Sequence, residues 1–101
     1  DPGKRAEILR RTLDERFVYV DPQIRTEGHD QLSDYIGELQ KTIPGMRIIT
    51  NSFAEHHESC LVEWTMQDGN STVLADGVTC GEGDAGGLLK KASVFYGAAA
   101  R

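Results

Sequence analysis

The chain has 101 residues, 39% hydrophobic and 27% charged, which is ordinary usage for one small domain and argues against disorder, a collagen-like repeat or a coiled coil. Its formal net charge is −5 at pH 7. That balance argues against a nucleic-acid binder, which needs a basic face to neutralise phosphate, and against attachment to an anionic membrane.

No apolar run approaches the roughly 20 residues that span a bilayer. No signal peptide is visible, so a cytoplasmic protein is expected. The chain opens on Asp1-Pro2 without Met, which leaves room for a further N-terminal segment. Cys60 and Cys80 read as small hydrophobes buried in strands rather than as a disulfide. No metal site is expected, because zinc needs closely spaced ligand pairs.

Asp1-Pro2 suits a helix start, with Asp as N-cap and Pro at the first helical position. Ala6, Leu9, Leu13 and Phe17 recur every three or four residues, as on one face of a helix expected to end near Glu15. Lys4, Arg5, Arg10 and Arg11 lie off that face and read as solvated. Phe17-Val18-Tyr19-Val20 is aromatic and β-branched, hence a short strand, which Pro22 limits. Residues 23–27 are polar and read as a loop. Gly28-His29-Asp30-Gln31 opens a second helix with the apolar stripe Leu32, Tyr35, Ile36, Leu39 and Ile43. Pro44-Gly45 stops it.

Beyond that turn the apolar period falls from 3.6 to about 2. Residues 47–55, 58–66, 71–80 and 88–96 read as strands. Cys60, Val62, Trp64 and Met66 share one face of the second, and Leu61, Glu63 and Thr65 the other. Asp68-Gly69-Asn70 is a hairpin turn. Residues 81–87 form a glycine-rich loop. It lacks the Lys-Ser/Thr of a phosphate cradle and carries two acids, so it reads as a hairpin. Short connections imply antiparallel pairing. The fold class is therefore α+β, with helices on one face of an antiparallel sheet that curls around them and leaves a cavity.

The order Phe17-Val18-Tyr19-Val20-Asp21-Pro22, Gly28 opening a helix, Ile43-Pro44-Gly45, Trp64 before Asp68-Gly69, and Val94-Phe95-Tyr96-Gly97 resembles the SnoaL-like proteins. These belong to the nuclear-transport-factor-2-like superfamily, with ketosteroid isomerase, scytalone dehydratase and limonene epoxide hydrolase. The resemblance spans nearly the whole chain. It implies a cone-like α+β barrel around a deep apolar pocket, used without a cofactor and commonly assembled as a homodimer through the sheet. It also implies a further helix ahead of the matched part, closing the wide end of the cone, which this sequence lacks in part or whole.

Asp21 is the first candidate. The resemblance makes it the general base that moves a proton beside a carbonyl. Physically, a carboxylate in an apolar pocket loses solvation and becomes a stronger base. The alternative is a turn device bonded to loop amides. Asp76, an acid inside an apolar strand, is a second catalytic candidate. The family's second acid would fall opposite Val78 or Thr79, so Asp76 departs from the pattern, and an outward-facing side chain is the alternative. His57 is a candidate acid or base in the cavity, against a solvated role. His56 and His57, being adjacent, should point to opposite faces. His29 reads as exposed.

Cys60, Val62, Trp64, Met66 and Phe95 are the expected pocket wall, covered by Tyr35 and Ile36 from the helix. Two functions follow. One is an isomerase, cyclase or dehydratase acting on a small hydrophobic ketone. The other is a non-catalytic pocket or dimerisation module binding a small hydrophobic molecule or a partner protein. A second polar group converging on Asp21 separates them.

Overall fold

The computed structural model describes residues 2–96. The expected cap at Asp1 and the motif's Gly97 lie outside the described residues. Helix α1 spans Pro2–Thr12 and stops short of the expected Glu15. Thr12 Oγ1 donates to the Ile8 carbonyl at 2.7 Å in its last turn. Strand β1 follows at once, over Leu13–Val20. Leu9, Leu13 and Phe17 are all buried. A spacing of four suits one face of a helix, but it is also even and so suits one face of a strand. Periodicity alone therefore could not separate α1 from β1.

Two polar segments behave differently from their sequence reading. Residues 25–27, expected within a loop, form the edge strand β2 (Arg25–Glu27), antiparallel to β1 with Thr26 opposite Tyr19. A strand this short and polar carries no readable alternation. Arg5, expected in solvent, crosses to the second helix, α2 (His29–Thr42). Its Nε donates to Ser33 Oγ at 3.0 Å and its Nη1 to Gln40 Oε1 at 3.1 Å. Gly37 leaves room for this approach, since a Cβ there would lie 3.3 Å from Arg5 Nη2.

Gly28 starts α2 with φ +83°, a conformation costly for any residue with a Cβ, and its N–H donates to the Phe17 carbonyl at 2.8 Å. His29 is not simply exposed. Its Nε2 lies 3.1 Å from the Leu13 carbonyl and 3.0 Å from that of Asp14. Carbonyls only accept, so Nε2 carries the proton and ties the start of α2 to the start of β1.

The four later strands are β3 (Arg47–His56), β4 (Ser59–Gln67), β5 (Val73–Gly83) and β6 (Leu89–Tyr96). The meander expected from the period-2 pattern is present. Strand β5 runs on through Gly83 and takes Gly81–Gly83 from the expected loop. The glycine is needed there, because a Cβ at Gly81 would come within 2.7 Å of Cys60 Sγ. The six strands lie in the order β2-β1-β6-β5-β4-β3, with β1 and β6 parallel and the other neighbours antiparallel. The sheet is curved but unclosed, and β2 and β3 are its edges.

The register defines an inner face, toward the helices, and an outer one. Trp64, Gly77 and Tyr96 form one inner row, Val62, Thr79 and Val94 the next, and Cys60, Gly81 and Ala92 a third. The core is Leu9, Leu13, Phe17, Leu32 and Ala92, flanked by Tyr19, Ile36 and Leu89. Both helices pack chiefly against each other and against β1 and β2. The inner face of β3 therefore lies beyond them, with Ile48 52% and Phe53 59% exposed. No helix among the described residues is long and apolar enough to cross a membrane.

This asymmetry gives unequal weights to two phenylalanines. Phe17→Ala should destabilise the domain by about 3–5 kcal/mol, as expected for a buried aromatic, whereas Phe53→Ala should cost less than about 1 kcal/mol. Urea unfolding of the two variants checks this. Equal losses would mean that the inner face of β3 is covered.

Candidate functional site

Asp21 follows the last residue of β1, and the chain must reverse there to lay β2 alongside. The Asp21 N–H donates to the Ile24 carbonyl at 2.9 Å, which closes the turn. Asp21 Oδ1 accepts the N–H of Gln23 at 2.8 Å and of Ile24 at 3.0 Å. One carboxylate oxygen is thus the turn device that Asp-Pro suggests. The other oxygen does something else. Oδ2 accepts the hydroxyl of Tyr19, from β1, and of Tyr35, from α2, each at 2.8 Å.

An ionised carboxylate has about four lone-pair positions, and four donors fill them here. Burial leaves Asp21 only 7% exposed and by itself raises the pKa. The amides of Gln23 and Ile24 and the two phenols together outweigh burial and hold the carboxyl below its ordinary value of 3.8. The partners respond in the opposite sense. Burial first, then the bond to Asp21 and its charge, raise both Tyr19 and Tyr35 well above the ordinary phenol range. Burial and the Asp21 charge also raise Tyr96, on β6. The rings of Tyr19 and Tyr35 lie 5.6 Å apart, tilted by 43°.

The apolar part of the site begins at Tyr96, whose ring centroid is 6.4 Å from that of Trp64 in an edge-on arrangement. Trp64 Nε1 donates to Thr79 Oγ1 at 2.9 Å, which pins the indole along the sheet. Gly77 makes that position available, since a Cβ there would overlap the benzo ring of Trp64. Trp64 is buried.

Of the residues picked from sequence, the fold brings some together and separates others. Tyr35 meets Asp21, and Ile36 packs against the core beside it. Cys60, Val62, Trp64 and Met66 share the inner face. Phe95 does not join them. It alternates with Val94 and Tyr96, pairs with Val78 on the outer face and is 61% exposed. Asp76 is on the outer face too, opposite Thr65, whose hydroxyl donates to Asp76 Oδ1 at 2.8 Å. Period 2 puts it one residue out of step with Gly77 and Ala75, so it cannot converge with Asp21.

His57 is exposed in the β3–β4 turn, where His57 and Glu58 have φ of 47° and 70°. The turn breaks the alternation expected of adjacent residues, so the rings of His56 and His57 meet, with Nδ1 atoms 3.3 Å apart. Cys80, expected buried, is exposed on the outer face, while Cys60 is half-buried on the inner one. Among the described residues no group of three or more His, Cys, Asp or Glu side chains is placed to hold a metal ion.

Tyr19, Gly77, Thr79 and Tyr96 escaped the sequence reading. For Tyr19 the signal was present, because a strand puts residues i and i+2 on one face and so beside Asp21. For Tyr96 and Gly77 no local signal exists, since their partners lie on other strands.

The lowered Asp21 pKa links the site to stability. Asp21 binds its proton more weakly when folded, so its contribution is fully present above about pH 4 and is lost as pH falls through the lowered folded value. Acid unfolding followed by circular dichroism should show this loss in the native chain. Asp21→Asn should remove that segment of the curve, and an unchanged acid profile would contradict the bonding described.

No protein-family model matches the sequence, and no curated protein matches it significantly. Solved structures match its fold. A protein from Agrobacterium tumefaciens strain C58, named as a "putative isomerase of the SnoaL-like family", superposes with a TM-score of 0.90 and 19% identity over 97% of this chain and 85% of the other. A "putative SnoaL-like polyketide cyclase" from Jannaschia sp. CCS1 gives 0.76 and 14%, over 90% and 71%. A nuclear-transport-factor-2-like protein of unknown function from Cytophaga hutchinsonii gives 0.74 and 10%, over 95% and 79%. At these identities the likeness is one of fold, and the fold of this chain is the one shared by SnoaL-like and nuclear-transport-factor-2-like proteins.

Proposed function

We propose that the chain is a small-molecule-binding domain. An apolar ring compound lies on the inner face beside Trp64 and Tyr96, with its polar end toward Tyr19, Asp21 and Tyr35. The observation that carries this reading is a buried carboxylate, bonded to two phenols, beside an apolar inner sheet face whose β3 side is exposed at Ile48 and Phe53. Concave apolar walls with a few placed polar groups suit such ligands. The names of the SnoaL-like structures, an isomerase and a polyketide cyclase, support a small organic ligand.

The second reading is proton transfer at a ring ketone, favoured because Asp21 is buried beside two phenols rather than turned to solvent. Asp21 Oδ2 would take the proton next to the carbonyl, and Tyr35 would turn its hydroxyl to the oxygen that gains charge. The four donors weigh against this. They lower the basicity of Asp21 and leave no vacant lone pair, so binding stands first.

The test uses 2-decalone and 2-decalol. Binding is followed by the emission of Trp64, the chain's one tryptophan, and exchange of the protons beside the ketone by NMR in deuterated water. Binding without exchange faster than buffer is the expected result. Exchange that disappears in Asp21→Asn would establish the second reading instead. Failure of both compounds to bind would remove the first.

The same reading includes pairing of two copies through the outer face, supported by exposed Ile49, Leu61 and Phe95 on it. Sedimentation should give a dimer that Phe95→Glu dissociates. A wild-type chain that sediments as a monomer would overturn the pairing.

A further inference from the structure

The carboxylate of Asp21 decides which way two phenol protons point. An ionised carboxylate can only accept, and each phenol has one proton. Tyr19 and Tyr35 both reach Oδ2 at 2.8 Å, so both O–H groups donate to Asp21. The Gln23 and Ile24 amides occupy Oδ1, so neither phenol has a second carboxylate oxygen to itself. What the phenol oxygens still offer is lone pairs, with the Tyr35 oxygen also within reach of the Tyr19 hydroxyl.

We propose that the Tyr19–Asp21–Tyr35 cluster is an acceptor site, which takes the hydroxyl or ammonium group of a ring compound and rejects a carbonyl or ether oxygen in the same place. This rests on the reading that the inner face binds a ring compound. A donor placed there finds phenol oxygens whose own protons are committed within the cluster. A carbonyl oxygen there would face lone pairs and go unpaired after losing its water, and such mismatches discriminate strongly. The buried negative charge behind the phenols acts in the same sense, favouring the positive end of an O–H or N–H dipole.

Tyr96 provides the internal control. It is the third of the chain's three tyrosines and makes no hydrogen bond to Asp21, so its proton is not committed there. A preference set by the acceptor pair survives Tyr96→Phe. A preference set by Tyr96 does not.

The experiment compares four probes of one shape: 2-decalol, 2-aminodecalin, 2-decalone and 2-methoxydecalin. Dissociation constants come from calorimetry, and the single Trp64 indole N–H signal in NMR reports whether each probe sits on the inner face. The expected result is that the alcohol or the amine binds at least about tenfold more tightly than both the ketone and the ether, a difference of one good hydrogen bond. The order of alcohol and amine then tells which donor the site prefers. Tyr19→Phe/Tyr35→Phe should flatten the series, and the exposed outer-face variant Phe95→Ser should leave it unchanged, while a series that flattens in Tyr96→Phe would overturn the acceptor pair.

A ketone that binds as tightly as the alcohol would overturn the acceptor site while leaving the binding reading intact. Failure of all four to move the Trp64 signal would overturn the binding reading itself. The comparison within the wild-type chain needs no variant, so a poorly folding double mutant does not affect it.

Discussion

A buried carboxylate must keep every lone pair occupied, because an ion taken out of water without full compensation costs more than a small domain can spare. Asp21 meets that requirement with partners from two elements and one turn. Its Oδ1 holds the Gln23 and Ile24 amides, and its Oδ2 holds phenols from β1 and α2. The β1–β2 reversal and the seating of α2 on the sheet thus share one atom group. Asp68 and Asp84 show what is special here. Each caps its own turn through Oδ1, accepting from Asn70 and Thr72 or from Gly86 and Leu88. Neither holds a side chain from another element through those bonds.

The rest of the architecture follows from where the helices sit. Gly28 and His29 fix the start of α2 to β1, and Arg5 fixes α1 to α2. Both helices are therefore committed to one side of the sheet, above the core of Leu9, Leu13, Phe17, Leu32 and Ala92. At the far end of α2 the Pro44-Gly45 turn rests on the β4–β5 hairpin, where a Cβ at Gly45 would come within 2.9 Å of Gly69 Cα. On the inner surface between these two anchor regions the Trp64 and Tyr96 rings pack edge-on against each other.

Glycine decides the texture of that surface. A strand residue without a side chain lets the neighbouring strand lay its own side chain across it. Gly77 receives the Trp64 ring and Gly81 receives Cys60. The result is an aromatic wall, Trp64 with Tyr96 edge-on to it, whose one indole donor is already satisfied by Thr79. The polar capacity of the inner face is therefore concentrated at Asp21 and its phenols. Asp76, one step out of phase, spends its charge on the outer face beside Thr65.

The sequence by itself determined the α+β class, the second helix, the four-stranded meander and the inner face of β4, because each rests on a period that local residues display. It also pointed to Asp21, since Asp-Pro at the end of an aromatic strand is a local arrangement. The boundary between α1 and β1 was not legible, because a four-residue spacing satisfies both periods. Strand β2 was not, because three polar residues show no alternation. The two phenols on Asp21, the Trp64–Gly77 contact, the reach of Arg5 to α2 and the outward placement of Asp76 and Phe95 were decided by tertiary structure. Each depends on which residues of separate elements are brought opposite one another. Register and helix seating set that across the whole sheet, and no stretch of chain encodes it alone.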